Sequence, residues 1–280
     1  MKIPLNGQTI QLKKFDLKII EKAATICMIA KRNSGKSWVV RDIIWHKRNT
    51  PGGVIISPTD KMSSFYGDFF PSLYIHYKYH SSILENVLYR QRCMLDKLKE
   101  KEKIGKQFDP HTFLVMDDCM ADKDAWKKDQ VIQEIFMNGR HYKLMFILTM
   151  QYSLGISPEL RSNFDYIFIL ADDFLSNQKR LYDHYAGMFP SFDAFRTVFM
   201  ECTKDYGCMV INNRIKSSAQ LEDKVFWFKA ENRGAFTVGC KQFRDFSVAN
   251  FDPLYDKRPK LFDIADLQRN KKQPINVTKI

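Results

Sequence analysis

No apolar run in this chain approaches the ~18–20 residues that cross a bilayer. The longest, Leu144 to Met150, contains Thr149 and has the length of a buried strand. The N-terminal stretch MKIPLNGQTIQLKKF lacks the apolar segment of a secretory leader. Six cysteines form no CxxC pair, which fits buried thiols in a reducing compartment better than a disulfide framework. Internal repeats and low-complexity tracts are absent. Acidic residues are outnumbered, 32 against 44 basic ones, for a net charge of +12. Such an excess suits a polyanionic partner and says nothing about fold. The expectation is a protein that is neither secreted nor membrane-spanning. What remains is an ordinary globular composition, 45% hydrophobic and 27% charged over 280 residues, enough for one large domain.

From Thr25 to Leu170, short β-branched and aromatic runs alternate with longer segments of helical period, as in βαβ units around a parallel sheet. Strands are predicted at Thr25–Ala30, Gly53–Ser57, Tyr74–His76, Phe113–Met116, Leu144–Thr149 and Tyr166–Leu170. Several are continuously apolar, as central strands covered on both faces should be. Helices are predicted at Lys36–Lys47 and Ser82–Lys99, the second followed by a charged stretch ending at Gly105. Beyond Leu170, Ser176–Gly187 and Ser191–Thr203 read as helices. Gly207–Ile211 and Val225–Phe228 read as strands, an antiparallel extension of the same sheet. The fold class is therefore α/β, a mainly parallel central sheet flanked by helices with a small C-terminal extension. Its expected divisions are an N-terminal segment (1–20), a main domain (21–251) and a polar, basic tail (252–280).

The most informative segment joins the first core strand to the first core helix. It runs from Ala30 through Lys31, Arg32, Asn33, Ser34, Gly35, Lys36 and Ser37 to Trp38. It matches the P-loop pattern GxxxxGK[ST] except that Ala30 stands where the first glycine belongs. Such a loop aims successive backbone N–H groups at one point, and the helix N-terminus adds partial positive charge there. Lys36 is placed to reach the β- and γ-phosphates, and the Ser37 hydroxyl to ligate Mg²⁺. Ala30 fits if its backbone has an ordinary negative φ; a positive φ would distort the loop.

Three further strand ends carry polar chemistry. Phe113–Met116 runs into Asp117 and Asp118, the pattern of a Walker B strand, with Asp117 holding Mg²⁺ directly or through water. Asp118 stands where many such ATPases carry a glutamate that polarises the attacking water, and is one methylene shorter. The strand Leu144–Thr149 ends near Gln151, a neutral amide able to orient water. At its other end lies Arg140, too far to reach its own nucleotide but able to reach that of a neighbouring subunit; Arg161 is a second candidate for that role. Weaker signals carry less. His76 and His80 have no third metal ligand, Cys202 and Cys208 read as core thiols, and Trp227 with Phe226 and Phe228 reads as core packing.

In this order, the P-loop, the VMDD strand end, NGRHYKL, the TMQ strand end, SPELRSNFDYIFIL and KVFWFKA resemble the genome-packaging ATPases of large nucleocytoplasmic DNA viruses. The resemblance is to the poxvirus and mimivirus types, within the FtsK–HerA superfamily, and covers roughly residues 20–230. The resemblance implies a RecA-like P-loop NTPase core, a hexameric ring, and ATP- and Mg²⁺-dependent translocation of double-stranded DNA into a preformed capsid. It implies Lys36 and Ser37 on nucleotide and Mg²⁺, Asp117 on Mg²⁺, Asp118 for water activation, Gln151 as sensor and Arg140 as the inter-subunit finger. A capsid or virion-membrane protein would be the docking partner, and the host cytoplasm (the viral factory) and the virion the locations. Ala30 and Asp118 depart from the family pattern and are consistent with slow hydrolysis. The other readings are a HerA-like helicase or DNA-transfer ATPase, and a nucleotide-binding structural virion protein with little turnover.

Overall fold

The computed structural model describes residues 1–5, 8–119, 129–152, 155–215 and 220–254. The tail expected from 252 lies outside these residues from 255 onward. A two-stranded hairpin, β1 (Lys2–Leu5) and β2 (Gln8–Gln11), precedes the main sheet. The remaining strands are β3 (Thr25–Ile29), β4 (Gly52–Ile56), β5 (Ile75–His76), β6 (Thr112–Met116), β7 (Leu144–Met150), β8 (Tyr166–Leu170), β9 (Gly207–Asn212) and β10 (Val225–Lys229). They form one eight-stranded sheet in the order β10-β9-β8-β3-β7-β6-β4-β5. From β8 to β5 every pairing is parallel, while β9 pairs antiparallel with both β8 and β10.

Strand periodicity divides the core into two layers. Ile26 and Met28 of β3 face one side with Phe113, Val115, Met145 and Ile147; Cys27 and Ile29 face the other with Leu114, Met116, Phe146 and Leu148. The helix Lys36–His46 covers the first side through Val39, Val40, Ile43 and Ile44. The helices Ser81–Lys103, Gln130–Asn138 and Phe192–Cys202 cover the second. Both faces of the central strands are thereby dry, which explains runs with no polar alternation such as Leu144–Phe146.

The helix from Ser81 continues one turn past the expected Lys99 to Lys103 and stops at a glycine. Gly105 has φ 65°, its N–H bonds to Glu102 O at 3.0 Å, and the Lys106 N–H bonds to Lys101 O at 2.9 Å. This is the paired bonding of a Schellman motif, which glycine enters without a Cβ clash. Like the N-terminal hairpin, the chain along β10 and the last described helix lack a local sequence signature. Residues 13–15 run along β10, with Trp227 N–H on Lys13 O (3.2 Å) and Phe15 N–H on Trp227 O (2.9 Å), and so cover a sheet edge. At the opposite edge the helix Lys241–Asn250 docks through Phe243, whose ring stacks on Tyr74 at 4.0 Å, and through Ser247, whose Oγ accepts the Leu73 N–H at 3.2 Å.

Candidate nucleotide-binding site

Parallel register brings the C-terminal ends of β3, β7 and β6 to one level: Ile29 pairs with Met150, and Met116 with Leu148. The acidic strand is not the immediate neighbour of the P-loop strand. β7 lies between them and contributes the residues that connect the two. A crevice beyond the strand ends of an open α/β sheet is the usual position for a ligand.

The loop begins in an ordinary conformation. The Ala30 N–H bonds to Met150 O at 2.9 Å, extending the β3–β7 ladder, and positive φ within the loop is confined to Asn33 (60°) and Gly35 (91°). The missing first glycine is therefore accommodated, because position 30 demands no left-handed backbone. Gly35 does demand it. Ser34 Oγ donates to Lys31 O at 2.7 Å and ties the loop together. The following helix has no side-chain cap and no acid in its first turn, so its own residues leave its N-terminal N–H groups open to the cleft. Lys31 forms an ion pair with Asp173, which follows β8.

Lys36 extends toward the acidic strand end, with Nζ 3.2 Å from Asp117 Oδ1 and 3.6 Å from Asp118 Oδ1. Asp117 is only 3% exposed, so its charge requires compensation. Besides Lys36 it receives hydrogen bonds from Thr149 Oγ1 (2.6 Å, to Oδ1) and from the Tyr66 hydroxyl (3.0 Å, to Oδ2). Burial first, and then the Asp117 charge, push the Tyr66 pKa well above the usual tyrosine value, so the phenol keeps the proton it donates. Asp118 has φ 58°; its N–H bonds to Thr149 Oγ1 at 3.0 Å, and its carboxylate accepts from the Gln151 amide. Lys36, Asp117, Asp118 and Gln151, read from the sequence as separate motifs, thus form one contiguous constellation.

Around them opens a cleft of about 1170 Å³, to which Ser37, Trp38, Phe65, Tyr206 and Asn232 also contribute. That volume is ample for a nucleotide-sized ligand. The metal-capable donors here, the Ser37 hydroxyl and the Asp117 carboxylate, are hard oxygens, and no group of three His, Cys, Asp or Glu gathers among the described residues. The set suits Mg²⁺, which takes one or two protein oxygens and otherwise phosphate and water.

The two arginines lie elsewhere. Arg140 is exposed in a tight turn before β7, in which Leu144 N–H bonds to Gly139 O at 2.9 Å and Lys143 N–H to Arg140 O at 3.1 Å. A Cβ on Gly139 would meet Ile135 O at 2.6 Å, so the turn needs a glycine. The length of β7 separates Arg140 from Gln151 by roughly 20 Å. Arg161 ends the short helix Pro158–Arg161, half-buried, with its guanidinium 5.7 Å from the centre of the Tyr185 ring.

Sequence reasoning overlooked Tyr66, which follows β4 in an aromatic-rich segment with no motif, and the bridging role of the Thr149 hydroxyl. It also overlooked Tyr206. Asp205 and Tyr206 both adopt left-handed backbone (φ 51° and 62°), a conformation that costs an L-residue roughly 1–2 kcal/mol. Two such residues before β9 are a local irregularity that composition does not announce.

A sheet of this order with a P-loop after its central strand is the fold of the P-loop NTPases. The genome packaging NTPase B204 of Sulfolobus turreted icosahedral virus 2, in its complex with ATP-gammaS, superposes with a TM-score of 0.51 at 15% identity, covering 76% of this chain and 100% of that one. Its complex with AMP gives a TM-score of 0.51 at 14% identity. The likeness is one of fold. No protein-family model matches the chain. Over 265 residues it is 50% identical to the uncharacterized protein L437 of Acanthamoeba polyphaga mimivirus, covering 94% of this chain and 93% of that protein. With protein 088R of Invertebrate iridescent virus 3 it shares 33% identity over 261 residues, 88% of this chain and 96% of the relative. The chain belongs to the family that these proteins of large DNA viruses form. No helix among the described residues is long and apolar enough to cross a membrane.

Proposed function

We propose that this protein is an ATPase of the FtsK–HerA type that moves double-stranded DNA, and that the work it performs is packaging a viral genome into a capsid. The observation that carries the reading is the contact of Lys36 with both Asp117 and Asp118 at the mouth of a phosphate-binding loop. Lys36 holds the β- and γ-phosphates of ATP, and the loop N–H groups and helix N-terminus hold their oxygens. Ser37 and Asp117 would hold Mg²⁺, which would supply charge neutralisation at the phosphates. Asp118 orients the attacking water, with its carboxylate aimed by Gln151 and its backbone by Thr149. Arg140, exposed at the far end of β7, acts on the nucleotide of a neighbouring subunit; a ring-closing, heterologous contact in a hexamer is the geometry this requires. Arg161, engaged with Tyr185 in its own subunit, is the weaker candidate. The basic excess supports a DNA partner whose affinity falls steeply with salt. A capsid or virion-membrane protein is the docking partner, in the cytoplasmic viral factory and the virion.

Phosphate release from ATP with and without double-stranded DNA, at fixed salt, tests this. DNA should stimulate turnover, and Lys36→Ala should abolish it in a folded protein, since Tyr66 and Thr149 still donate to Asp117. Undiminished hydrolysis by Lys36→Ala would refute the site, and turnover indifferent to DNA would refute the motor.

A further inference from the structure

The cleft extends to both sides of the phosphate loop. On the side of β6 and β7 it ends on Asp117, Asp118 and Gln151; on the other it is bounded by Tyr206 and by Lys229, Ala230 and Asn232. Sheet order explains this division. β9 and β10 lie beyond β8, and because β9 runs antiparallel, its start and the end of β10 emerge at the same edge as the loop. A nucleoside triphosphate with its terminal phosphate at the carboxylates would have its nucleoside directed toward Tyr206, across the same cleft.

Tyr206 is 68% exposed, yet its ring lies along the loop: a Cβ built on Gly35 would be 3.6 Å from ring atom Cδ1. Two successive left-handed residues, Asp205 and Tyr206, hold it there, and strain of this kind persists where the fold over-determines a position, as in ligand clamps. Trp38 also lines the cleft, but its ring already meets the Arg41 guanidinium at 5.3 Å and Phe65 at 6.0 Å. We propose that Tyr206 is the nucleobase platform of this site, stacking its ring on the base, with Lys229 and Asn232 at the base edge. The inference rests on the reading of the cleft as a nucleotide site.

Calorimetric titration with two probes, ATP and inorganic tripolyphosphate, separates base from phosphate binding. Stacking of a base on an aromatic ring corresponds to roughly 5- to 150-fold in affinity. Tyr206→Ala should weaken ATP by that factor and leave tripolyphosphate within about twofold, while Tyr206→Phe should bind both like the wild type. Unchanged ATP affinity in Tyr206→Ala, or equal losses for both probes, would overturn the platform while leaving the phosphate site in place. A wild-type protein that binds neither probe would overturn the nucleotide site and the platform with it.

Discussion

The hydroxyl of Thr149 donates to Asp117 Oδ1 at 2.6 Å and simultaneously accepts the N–H of Asp118 at 3.0 Å. One side chain at the end of β7 thereby sets both the carboxylate that compensates Lys36 and the backbone that aims the second acid. Thr149→Val keeps the shape and removes both bonds, leaving a buried carboxylate short of a donor. It should cost about 1–3 kcal/mol of stability and lower ATP turnover, whereas Thr149→Ser should retain most of each. Urea midpoints and phosphate release measured on the same preparations check this, and a Val variant as stable as wild type would show the bridge to be dispensable.

Tyr66 links the site to alkaline stability. The phenol is neutral when protonated, and its pKa is raised in the folded state by burial and by Asp117. Its share of stability is therefore complete below the unfolded value of about 10 and is lost as pH rises beyond it, by up to about 1.4 kcal/mol per pH unit for this one proton. Tyr66→Phe should be less stable near neutrality, through loss of the bond to Asp117, yet should show a shallower decline above about pH 10. Denaturation curves between about pH 8 and 11 provide the comparison, and parallel declines would contradict it.

Ala30 is buried and bonded into the β3–β7 ladder with no left-handed backbone. Restoring the glycine of the usual pattern should bring no gain. Ala30→Gly is expected to leave turnover within about twofold and to cost roughly 0.5–1 kcal/mol through chain entropy. A several-fold acceleration of ATP hydrolysis would mean that the methyl group obstructs the phosphates.

Arg140 is exposed before the start of β7, at the opposite end of that strand from the cleft, so the proposed part in hydrolysis would need a second subunit. Arg140→Ala should keep nucleotide affinity and lose turnover, an arginine finger being worth about 10³–10⁵ in rate. Mixing Arg140→Ala with Lys36→Ala, each inactive alone, should restore activity, because some interfaces then pair an intact loop with an intact arginine. No recovery in mixtures shown to co-assemble would argue for a role within one subunit.

The phosphate loop, the VMDD strand end and the strand positions were legible because each depends on residues adjacent in the chain. A tight turn needs Gly35, a strand dry on both faces is apolar throughout, and a helix stops where Gly105 can turn left-handed. Most strand and helix boundaries read this way fall within a few residues of the observed ones. The first glycine of the loop was ambiguous from its letters, because the need for it depends on a backbone angle. The N-terminal hairpin, the strip along β10 and the helix Lys241–Asn250 escaped that reading, since each is stabilised by surfaces far away in sequence.

Lateral order was likewise beyond local pattern. Nothing in the run Leu144–Met150 says that it inserts between the loop strand and the acidic strand, yet that insertion gives Thr149 its two partners. Tyr66 and Tyr206 acquire their places only when β4 and β9 take theirs. Chemistry concentrated in a few neighbouring residues is written in the chain. Chemistry made by strands meeting side by side depends on which apolar faces bury one another best, and that is settled when the whole sheet assembles.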